Sequence, residues 1–336
     1  MNEFPALTEP IKVDIIGDVH GCFTPLLKLL KRMGYAPVDG VYQHPERIAV
    51  FVGDLIDRGP AIRETVELIY QMHQAGKALV VLGNHEYNAV RFQQQTLEYL
   101  RDKQAEGLPV RLKKLMKETL DQFRDYPEQW QLYTDWFARL PLFIDTPSFR
   151  VVHACWDETL IAEYKNLYPL QGITAEFIQA SKVKGSLESR TVDRLTRGTN
   201  MPLPDGMQLE SQDGFVRRFF RTKFWEESPK TYGDIVFQPD PLPYEVAGSP
   251  IQSQHQQRLL QYDASAPPVF FGHYWLKGRP KPLQRNVVCL DYSAVNFGRL
   301  TAYRYDGEAE LHQDRFWWVY VDRSSDTQGS RQSNNP

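Results

Sequence analysis

Five short apolar runs recur along the chain, and each reaches a polar residue at or next to its end. They span 11–18 (IKVDIIGD), 47–54 (RIAVFVGD), 77–84 (KALVVLGN), 149–154 (FRVVHA) and 268–273 (PVFFGH). β-Branched and aromatic residues dominate them, which is typical of buried strands. We therefore expect buried strands that deliver Asp, Asn or His at their carboxyl ends.

Two helical patterns lie between the first three runs. The first is predicted to follow an N-cap at Thr24, with Pro25 at its first position, and to stop at Gly34. The second is predicted to begin near Pro60 and to end at Gly76. Alternating strands and helices indicate an α/β fold with a largely parallel sheet, in which ligand groups collect beyond the carboxyl ends of the strands.

The remaining chain is less regular. We expect a single domain over 10–322, with insertions at about 88–140 and 156–265. Further strands are predicted at 286–293 and 299–312, the latter with a turn at Asp306-Gly307. The polar segment 324–336 is predicted to be a disordered tail.

Composition narrows the class of protein. With 336 residues, 42% of them hydrophobic, and a net charge of −3, the chain is globular and has no general attraction for nucleic acid or membranes. Its cysteines, Cys22, Cys155 and Cys289, are too few and too far apart for a disulfide framework. Because the sequence has neither a signal-peptide pattern nor a long apolar run, we expect a cytoplasmic protein.

The polar residues at the strand ends are of the types that bind metal ions: Asp18, His20, Asp54, Asn84, His153 and His273. Taken singly, each carboxylate also suits a cap and His153 suits a core position. Together at one edge, they are hard to explain unless cations neutralise the carboxylates. Oxygen and imidazole donors without thiolate favour Mn²⁺, Fe or Zn²⁺ at a catalytic site. The preceding glycines are expected to allow sharp turns.

The motifs stand in a recognisable order: GDVHG (17–21), GDLIDRG (53–59), GNHE (83–86), His153 and GH (272–273). In this order they resemble the calcineurin-like metallophosphoesterases, and within them the phosphoprotein phosphatase branch. YSAVNFG (292–298) is similar to a segment of eukaryotic serine/threonine phosphatases, and GDVHGC with GHY is similar to symmetrical dinucleoside tetraphosphatases. The resemblance implies a four-layer α/β/β/α sandwich with helical insertions.

The resemblance also implies two divalent metal ions. Asp18 and His20 would hold one ion, Asp54 would bridge both, and Asn84, His153 and His273 would hold the second. Manganese is the first choice, with Fe, Zn, Mg, Co and Ni as alternatives. Trp275 stands where many relatives carry a second His, which the phosphoprotein phosphatase branch also lacks.

Chemical roles follow for the neighbouring residues. Two cations about 3.5–4 Å apart lower the pKa of a bridging water, so that hydroxide attacks phosphorus in line. His85 is placed to protonate the leaving oxygen, with Asp57 orienting it. Arg58, together with Asn84, would bind phosphate oxygens.

Several other polar residues receive weaker assignments. Glu86 is expected to support the site rather than to react, and Cys22 to pack as a small apolar group. A second phosphate-binding arginine remains open among Arg217, Arg218 and Arg221. His44, His73, His255 and His312 are expected to be structural.

The predicted function is a dinuclear phosphoesterase that hydrolyses phosphomonoesters, including phosphoserine or phosphothreonine. One alternative is a symmetrical dinucleoside tetraphosphate hydrolase, and another is a non-catalytic protein that binds phosphate ligands on the same fold. Leu82 and Phe297 replace residues with polar phosphate contacts in the eukaryotic phosphatases, which weakens the protein-phosphatase reading. The partner is therefore a phosphorylated small molecule, nucleotide or phosphoprotein.

Overall fold

The computed structural model describes residues 12–102, 107–168, 172–210, 216–237 and 242–321. The strands are β1 (Val13–Ile16), β2 (Ala36–Val38), β3 (Val41–Gln43), β4 (Ile48–Phe51), β5 (Ala78–Val80), β6 (Phe143–Asp145), β7 (Arg150–Val152), β8 (Thr199–Pro202), β9 (Leu209–Glu210), β10 (Val216–Arg217), β11 (Phe219–Thr222), β12 (Val236–Phe237), β13 (Val269–Phe271), β14 (Val287–Cys289), β15 (Asp291–Tyr292), β16 (Arg299–Tyr305) and β17 (Phe316–Tyr320).

The helices are α1 (Phe23–Arg32), α2 (Ile62–Gln74), α3 (Asn84–Arg91), α4 (Gln93–Arg101), α5 (Val110–Leu115), α6 (Lys117–Gln122), α7 (Pro127–Phe137), α8 (Glu158–Leu167), α9 (Ala175–Ser181), α10 (Leu187–Arg197), α11 (Tyr232–Ile235), α12 (Tyr244–Ala247) and α13 (Ser253–Gln256). Short 3₁₀ turns occupy Pro204–Gly206, Ala294–Asn296 and Gln313–Arg315. In the part of the chain that the structure describes, no helix is both long and apolar enough to cross a bilayer.

The first sheet has the order β15-β16-β1-β4-β5, with β17 added on β16. Strands β1, β4 and β5 are parallel, whereas β16 runs antiparallel to β1. The parallel strands therefore end at the same edge, as the strand and helix alternation predicts. Asp18, Asp54 and Asn84 follow these three strand ends.

The second sheet has the order β14-β13-β7-β6 and is parallel from β7 to β14. His153 follows β7 and His273 follows β13. The five strand ends identified in the sequence thus belong to two sheets rather than to the edge of a single sheet.

The two sheets pack face to face. Val13 and Val50 from the first sheet share one buried core with Val151 and Phe270 from the second. The alternating residues on the other face of each strand, such as Phe51, pack in a second core formed with the helices. This alternation explains why the strands are apolar on both faces, and the expected α/β architecture is observed as two packed sheets with helices outside them.

The helix ends differ in part from the prediction. Helix α1 begins at Phe23 because its first main-chain bond runs from Leu26 N to the Cys22 carbonyl, so Thr24 is not the N-cap. Helix α2 begins at Ile62, two residues after Pro60. Both helices stop where glycine follows in a left-handed conformation, at Gly34 (φ 93°) and Gly76 (φ 68°), as predicted.

The prediction over 299–312 is correct for its first part and for the turn at Asp306-Gly307, but residues 308–312 do not form a strand. Strand β16 ends at Tyr305, and its partner β17 begins only at Phe316. The segment between them leaves the sheet because Leu311 is buried between the two sheets and its N–H bonds to the Arg285 carbonyl at 2.7 Å.

Residues 88–140 are helical where described, and 156–265 contain α8–α13 and a small sheet in the order β12-β11-β8. Their status as insertions and the domain limits 10–322 stay predictions. The predicted tail, 324–336, lies outside the described residues.

Candidate metal centre

Asp54 lies at the centre of a buried group of imidazoles. Its Oδ2 is 3.6 Å from His20 Nε2, 3.8 Å from His85 Nε2 and 3.4 Å from His153 Nε2. Two compact sets of possible ligand atoms share this carboxylate: His20, Asp54 and His85 form one, and Asp54, His153 and His273 form the other. The arrangement fits two cations bridged by Asp54.

Hydrogen bonds from the far side of two rings fix their orientation. The Nδ1 of His20 lies 2.7 Å from the Ile56 carbonyl, and the Nδ1 of His153 lies 2.7 Å from the Val52 carbonyl. An Nδ1–H donated to a carbonyl leaves the Nε2 lone pair facing Asp54, which is the usual arrangement of metal-binding histidines.

His273 provides an independent test of whether these residues fit a metal. Its Nε2 is buried and has no hydrogen-bond partner among the described residues. A buried polar atom without a partner is costly, and a cation that accepts its lone pair removes that cost. The donor set of Asp, Asn and His without thiolate also suits a catalytic divalent metal.

The other two predicted ligands lie at the edges of this group. Asn84 Oδ1 is 3.2 Å from His153 Nε2. Asp18 is buried, and its Oδ2 accepts the His273 main-chain N–H at 3.1 Å, but it lies outside the two compact sets. All six predicted ligands are thus brought to one site, and their assignment to particular metals stays a prediction.

The protonation states follow from burial and from Asp54. Burial lowers the pKa of His20 and of His273 well below the usual value, so both imidazoles are neutral and free to bind a cation. Burial also acts to lower the pKa of His153, but Asp54 outweighs it and raises that pKa to about 10. A cation at His153 therefore displaces a proton.

His85 points into the same centre and is held by Asp57. The His85 Nδ1 lies 2.6 Å from Asp57 Oδ2, and the Thr119 hydroxyl donates to the other Asp57 oxygen. The pKa of His85 is raised because the attraction of Asp54 and Asp57 exceeds the opposing effect of burial. The carboxylate thus orients the ring and favours its protonated form.

Thr119 is a site residue that the sequence did not reveal. It accepts the Asp57 main-chain N–H at 3.0 Å in addition to donating to its carboxylate. It lies on α6, within the predicted insertion, and no local motif marks it. Only its position in space connects it with the site.

Arg58 spans the exposed side of the centre. Its Nη1 is 3.3 Å from His20 Nε2, its Nη2 is 3.3 Å from His85 Nε2, and its guanidinium lies 4.8 Å from the Trp275 ring. The planar fork therefore sits where phosphate oxygens would approach both imidazoles.

The structure distinguishes among the three candidate arginines. Arg221 is half-buried, its guanidinium lies 5.7 Å from the Tyr274 ring, and its charge is second only to burial in lowering the pKa of His273. Arg218 is exposed, and the side chain of Arg217 lies outside the described residues. Of the two whose side chains the structure describes, Arg221 is the one whose charge acts on His273.

Glu86 supports the loops rather than facing the centre. Its Oε2 accepts main-chain N–H groups from Asp54 at 2.8 Å and Gly83 at 3.1 Å. Its Oε1 accepts those of Leu55 at 2.8 Å and Ile56 at 3.3 Å. Burial, and then the Asp54 carboxylate, raise the pKa of Glu86 to about 7, although these N–H donors favour its ionised form.

The glycines of the motifs serve close approach more than sharp turns. A Cβ on Gly272 would lie 1.8 Å from Asp18 Oδ1, and one on Gly83 would lie 2.3 Å from Asp54 Oδ1. Of the four glycines that precede predicted ligands, only Gly53 has a positive φ, at 95°. At Gly17, Gly83 and Gly272 the close approach of neighbouring atoms, rather than a left-handed φ, requires glycine.

Left-handed backbone is concentrated here in residues other than glycine. His20, Asp54, Asp57, Arg58 and His273 have φ between 43° and 71°. Each such residue costs about 1–3 kcal/mol, and clusters of them are typical of functional sites.

The residues predicted to be structural lie apart from the centre. The His73 Nδ1 is 3.3 Å from Trp136 Nε1, and the His255 Nδ1 is 2.7 Å from the Tyr232 hydroxyl. His44 packs near Tyr35, and His312 is exposed. Leu82 is fully buried, so it has no access to a phosphate.

Comparisons with known proteins agree with this geometry. Two curated relatives are named bis(5′-nucleosyl)-tetraphosphatase PrpE [asymmetrical]. The one from Geobacillus sp. (strain WCH70) is 35% identical over 150 residues, which are 43% of this chain and 56% of the relative. The one from Oceanobacillus iheyensis is 33% identical over 184 residues, or 51% of this chain and 69% of the relative. The chain thus spans little more than half of the Geobacillus protein.

A solved structure shares the fold. It is a protein serine/threonine phosphatase from Saccharomyces cerevisiae, described as similar to human phosphatase PP5. Its sequence is 15% identical to this chain, and the superposition has a TM-score of 0.50 and covers 94% of this chain and 81% of that chain. A family profile, calcineurin-like phosphoesterase, matches residues 11–274. Because this match covers most of the sequence and includes all six candidate ligands, the chain belongs to the calcineurin-like phosphoesterase family.

Proposed function

We propose that this protein is a dinuclear metal-dependent phosphoesterase that hydrolyses dinucleoside polyphosphates. The observation that carries the phosphoesterase activity is the single buried carboxylate, Asp54, shared by two compact sets of ligand atoms. Two divalent cations held there would neutralise phosphate charge and lower the pKa of water to near neutrality. Manganese remains the first choice on the donor chemistry.

The protein side chains have separate tasks in this proposal. Arg58 binds phosphate oxygens through its fork, and Arg221 adds positive charge near His273. His85, held by Asp57, donates its proton to the leaving oxygen as the phosphorus–oxygen bond breaks. Water supplies the new oxygen on phosphorus, so atoms and charge balance.

The choice of substrate rests on the relatives. Both curated relatives carry the name of an asymmetrical nucleosyl tetraphosphatase, which favours a dinucleotide over a phosphomonoester as substrate. They also favour off-centre cleavage over the symmetrical cleavage considered from the sequence. Cleavage off centre yields a nucleoside monophosphate and a triphosphate, whereas cleavage at the centre yields two diphosphates.

Product analysis tests the substrate. The Mn²⁺-loaded protein is incubated with diadenosine tetraphosphate, and the nucleotides are separated by chromatography. We expect AMP and ATP. Two equivalents of ADP would show that cleavage is symmetrical rather than asymmetrical. Hydrolysis of phosphoserine peptides without cleavage of the dinucleotide would overturn the proposed substrate.

Two substitutions test the assigned roles. Asp54→Asn is expected to lose bound metal and activity together, measured by elemental analysis and initial rates. His85→Asn is expected to keep both metals while the rate falls about 10²–10⁴-fold, the range for general acid catalysis. The exposed histidine variant His312→Asn is the matched control and keeps the wild-type rate. Wild-type activity in His85→Asn would refute the proton-donor role.

A further inference from the structure

A cavity of about 380 Å³ opens beside the metal centre. Its walls include Cys22, Pro60, Gln122 and Val295, together with Arg58. The volume falls within the range of small-molecule sites, which are mostly apolar with a few polar groups.

Arg58 belongs both to this cavity and to the metal centre. It lines the cavity, and its guanidinium nitrogens lie 3.3 Å from the Nε2 atoms of His20 and His85. Arg58 is therefore a wall shared by the cavity and the metal centre, so that a phosphate held by Arg58 would lie next to the cavity.

Two exposed aromatic rings stand at the same place. Phe297, 51% exposed, lines the cavity, and Trp275, 40% exposed, lies against the Arg58 guanidinium. Both have left-handed backbone, with φ of 59° and 44°. This conformation is uncommon for bulky residues and costs about 1–3 kcal/mol each, and such residues are typical of functional sites.

A single buried carboxylate fixes the two segments that carry these rings. Asp291 accepts the Trp275 N–H at 2.8 Å and the Ser293 N–H at 2.9 Å. The Ser293 carbonyl in turn accepts the N–H groups of Asn296 and Gly298, which flank Phe297. The main chain that carries both rings is therefore held before a ligand arrives, which lowers the entropy cost of binding.

The far wall is acidic, with Glu118 and Asp121 on α6. Asp121 is already paired with Lys117 and Arg124, each at 2.6 Å. The Glu118 carboxylate repels a further phosphate or an acidic peptide, and it accepts hydrogen bonds from amino groups. An occupant with a flat aromatic face, amino donors and no negative charge of its own suits both walls.

We propose that this cavity binds one nucleobase of the substrate, with Phe297 as the stacking surface. The inference rests on the proposed function and specifies how the nucleoside is recognised. Stacking of a base on an aromatic side chain contributes about 1–3 kcal/mol by alanine substitution, which corresponds to about 5- to 150-fold in affinity.

The test compares two ligands that differ only by the base. Affinities of AMP and ribose 5-phosphate for the Mn²⁺-loaded protein are measured by isothermal titration calorimetry. We expect wild type to prefer AMP, and Phe297→Ala and Phe297→Leu to weaken AMP binding at least about 5-fold while leaving ribose 5-phosphate unchanged. Phe297→Tyr keeps a ring and is expected to retain the preference. Tyr244→Ala, at an aromatic residue 90% exposed and outside the cavity, is the control.

The outcomes separate this inference from the proposed function. Equal wild-type affinities for the two ligands, or an AMP preference that survives both Phe297→Ala and Phe297→Leu, overturn the nucleobase site. A preference that depends on the ring supports the site even if diadenosine tetraphosphate is not cleaved, because calorimetry does not require turnover. In that case only the proposed substrate fails.

Discussion

Replacing the Glu86 carboxylate by an amide probes how the ligand loops are held. In Glu86→Gln one oxygen becomes an NH₂ group, which cannot accept a hydrogen bond. Each carboxylate oxygen accepts two main-chain N–H groups, from Asp54 and Gly83 on one side and from Leu55 and Ile56 on the other. Whichever oxygen is replaced, two buried N–H groups lose their acceptor.

The expected cost follows from that count. An unsatisfied buried donor costs about 1–3 kcal/mol, so two of them lower the free energy of unfolding by about 2–6 kcal/mol. Either replacement frees the main chain at Asp54 or at its neighbours Leu55 and Ile56, so the affinity for Mn²⁺ is also expected to fall. Glu86 itself does not face the metal centre, so the loss of affinity would come through the loop.

Urea unfolding with and without metal measures both effects. Glu67→Gln on α2 is the matched control and is expected to unfold like wild type, because Glu67 is exposed and accepts a long bond from Gln71 at 3.4 Å. A Glu86→Gln protein within about 0.5 kcal/mol of wild type, with unchanged Mn²⁺ affinity, would show that the four hydrogen bonds do not hold the loop.

Two further changes test other parts of the structure. Gly272→Ala places a Cβ 1.8 Å from Asp18 Oδ1, so the carboxylate must move, and the metal content measured by elemental analysis is expected to fall. Gly248→Ala is the control, because its Cβ meets nothing closer than 3.6 Å. Full metal content in both variants would contradict the close-approach argument. Asp306 accepts from Arg47 and Arg315, and these guanidinium groups lower its pKa against the opposing effect of burial. The ionised Asp306 therefore contributes stability above its unfolded pKa, which is near 4, and this stability is lost as the pH falls through its lower pKa in the folded protein. Asp306→Asn should lower the free energy of unfolding by about 1 kcal/mol at pH 7, after allowance for solvent screening. In urea unfolding, this difference from wild type should vanish at strongly acidic pH. A difference that does not depend on pH would contradict the ion-pair explanation.

Local patterns were sufficient for much of the fold. The two helices stop at Gly34 and Gly76 because a left-handed residue ends a helix irrespective of its tertiary surroundings. The start of α1 was predicted less well, since Cys22 became the N-cap only through the turn that carries His20 and Gly21. The strand after Asp306 was misplaced because packing between the sheets, rather than the local alternation, draws its residues away.

The candidate site was predictable where each residue follows a strand within a motif. Asp18, Asp54 and Asn84 are such residues, since a buried strand that ends on a polar group already indicates chemistry at a sheet edge. Thr119 was missed because it touches Asp57 from a helix that is 62 residues away in sequence. No local rule connects these two positions.

Local sequence was enough to identify the buried strands, the donors at their ends and the family to which these donors point. Tertiary structure was needed to show that the donors come from two sheets, that Asp54 is shared between two sets of imidazoles, and that Arg221 and Thr119 act on residues of the centre. A buried strand and its end are visible in a continuous apolar run of a few residues, whereas the distance between two side chains on different sheets depends on how the whole core packs.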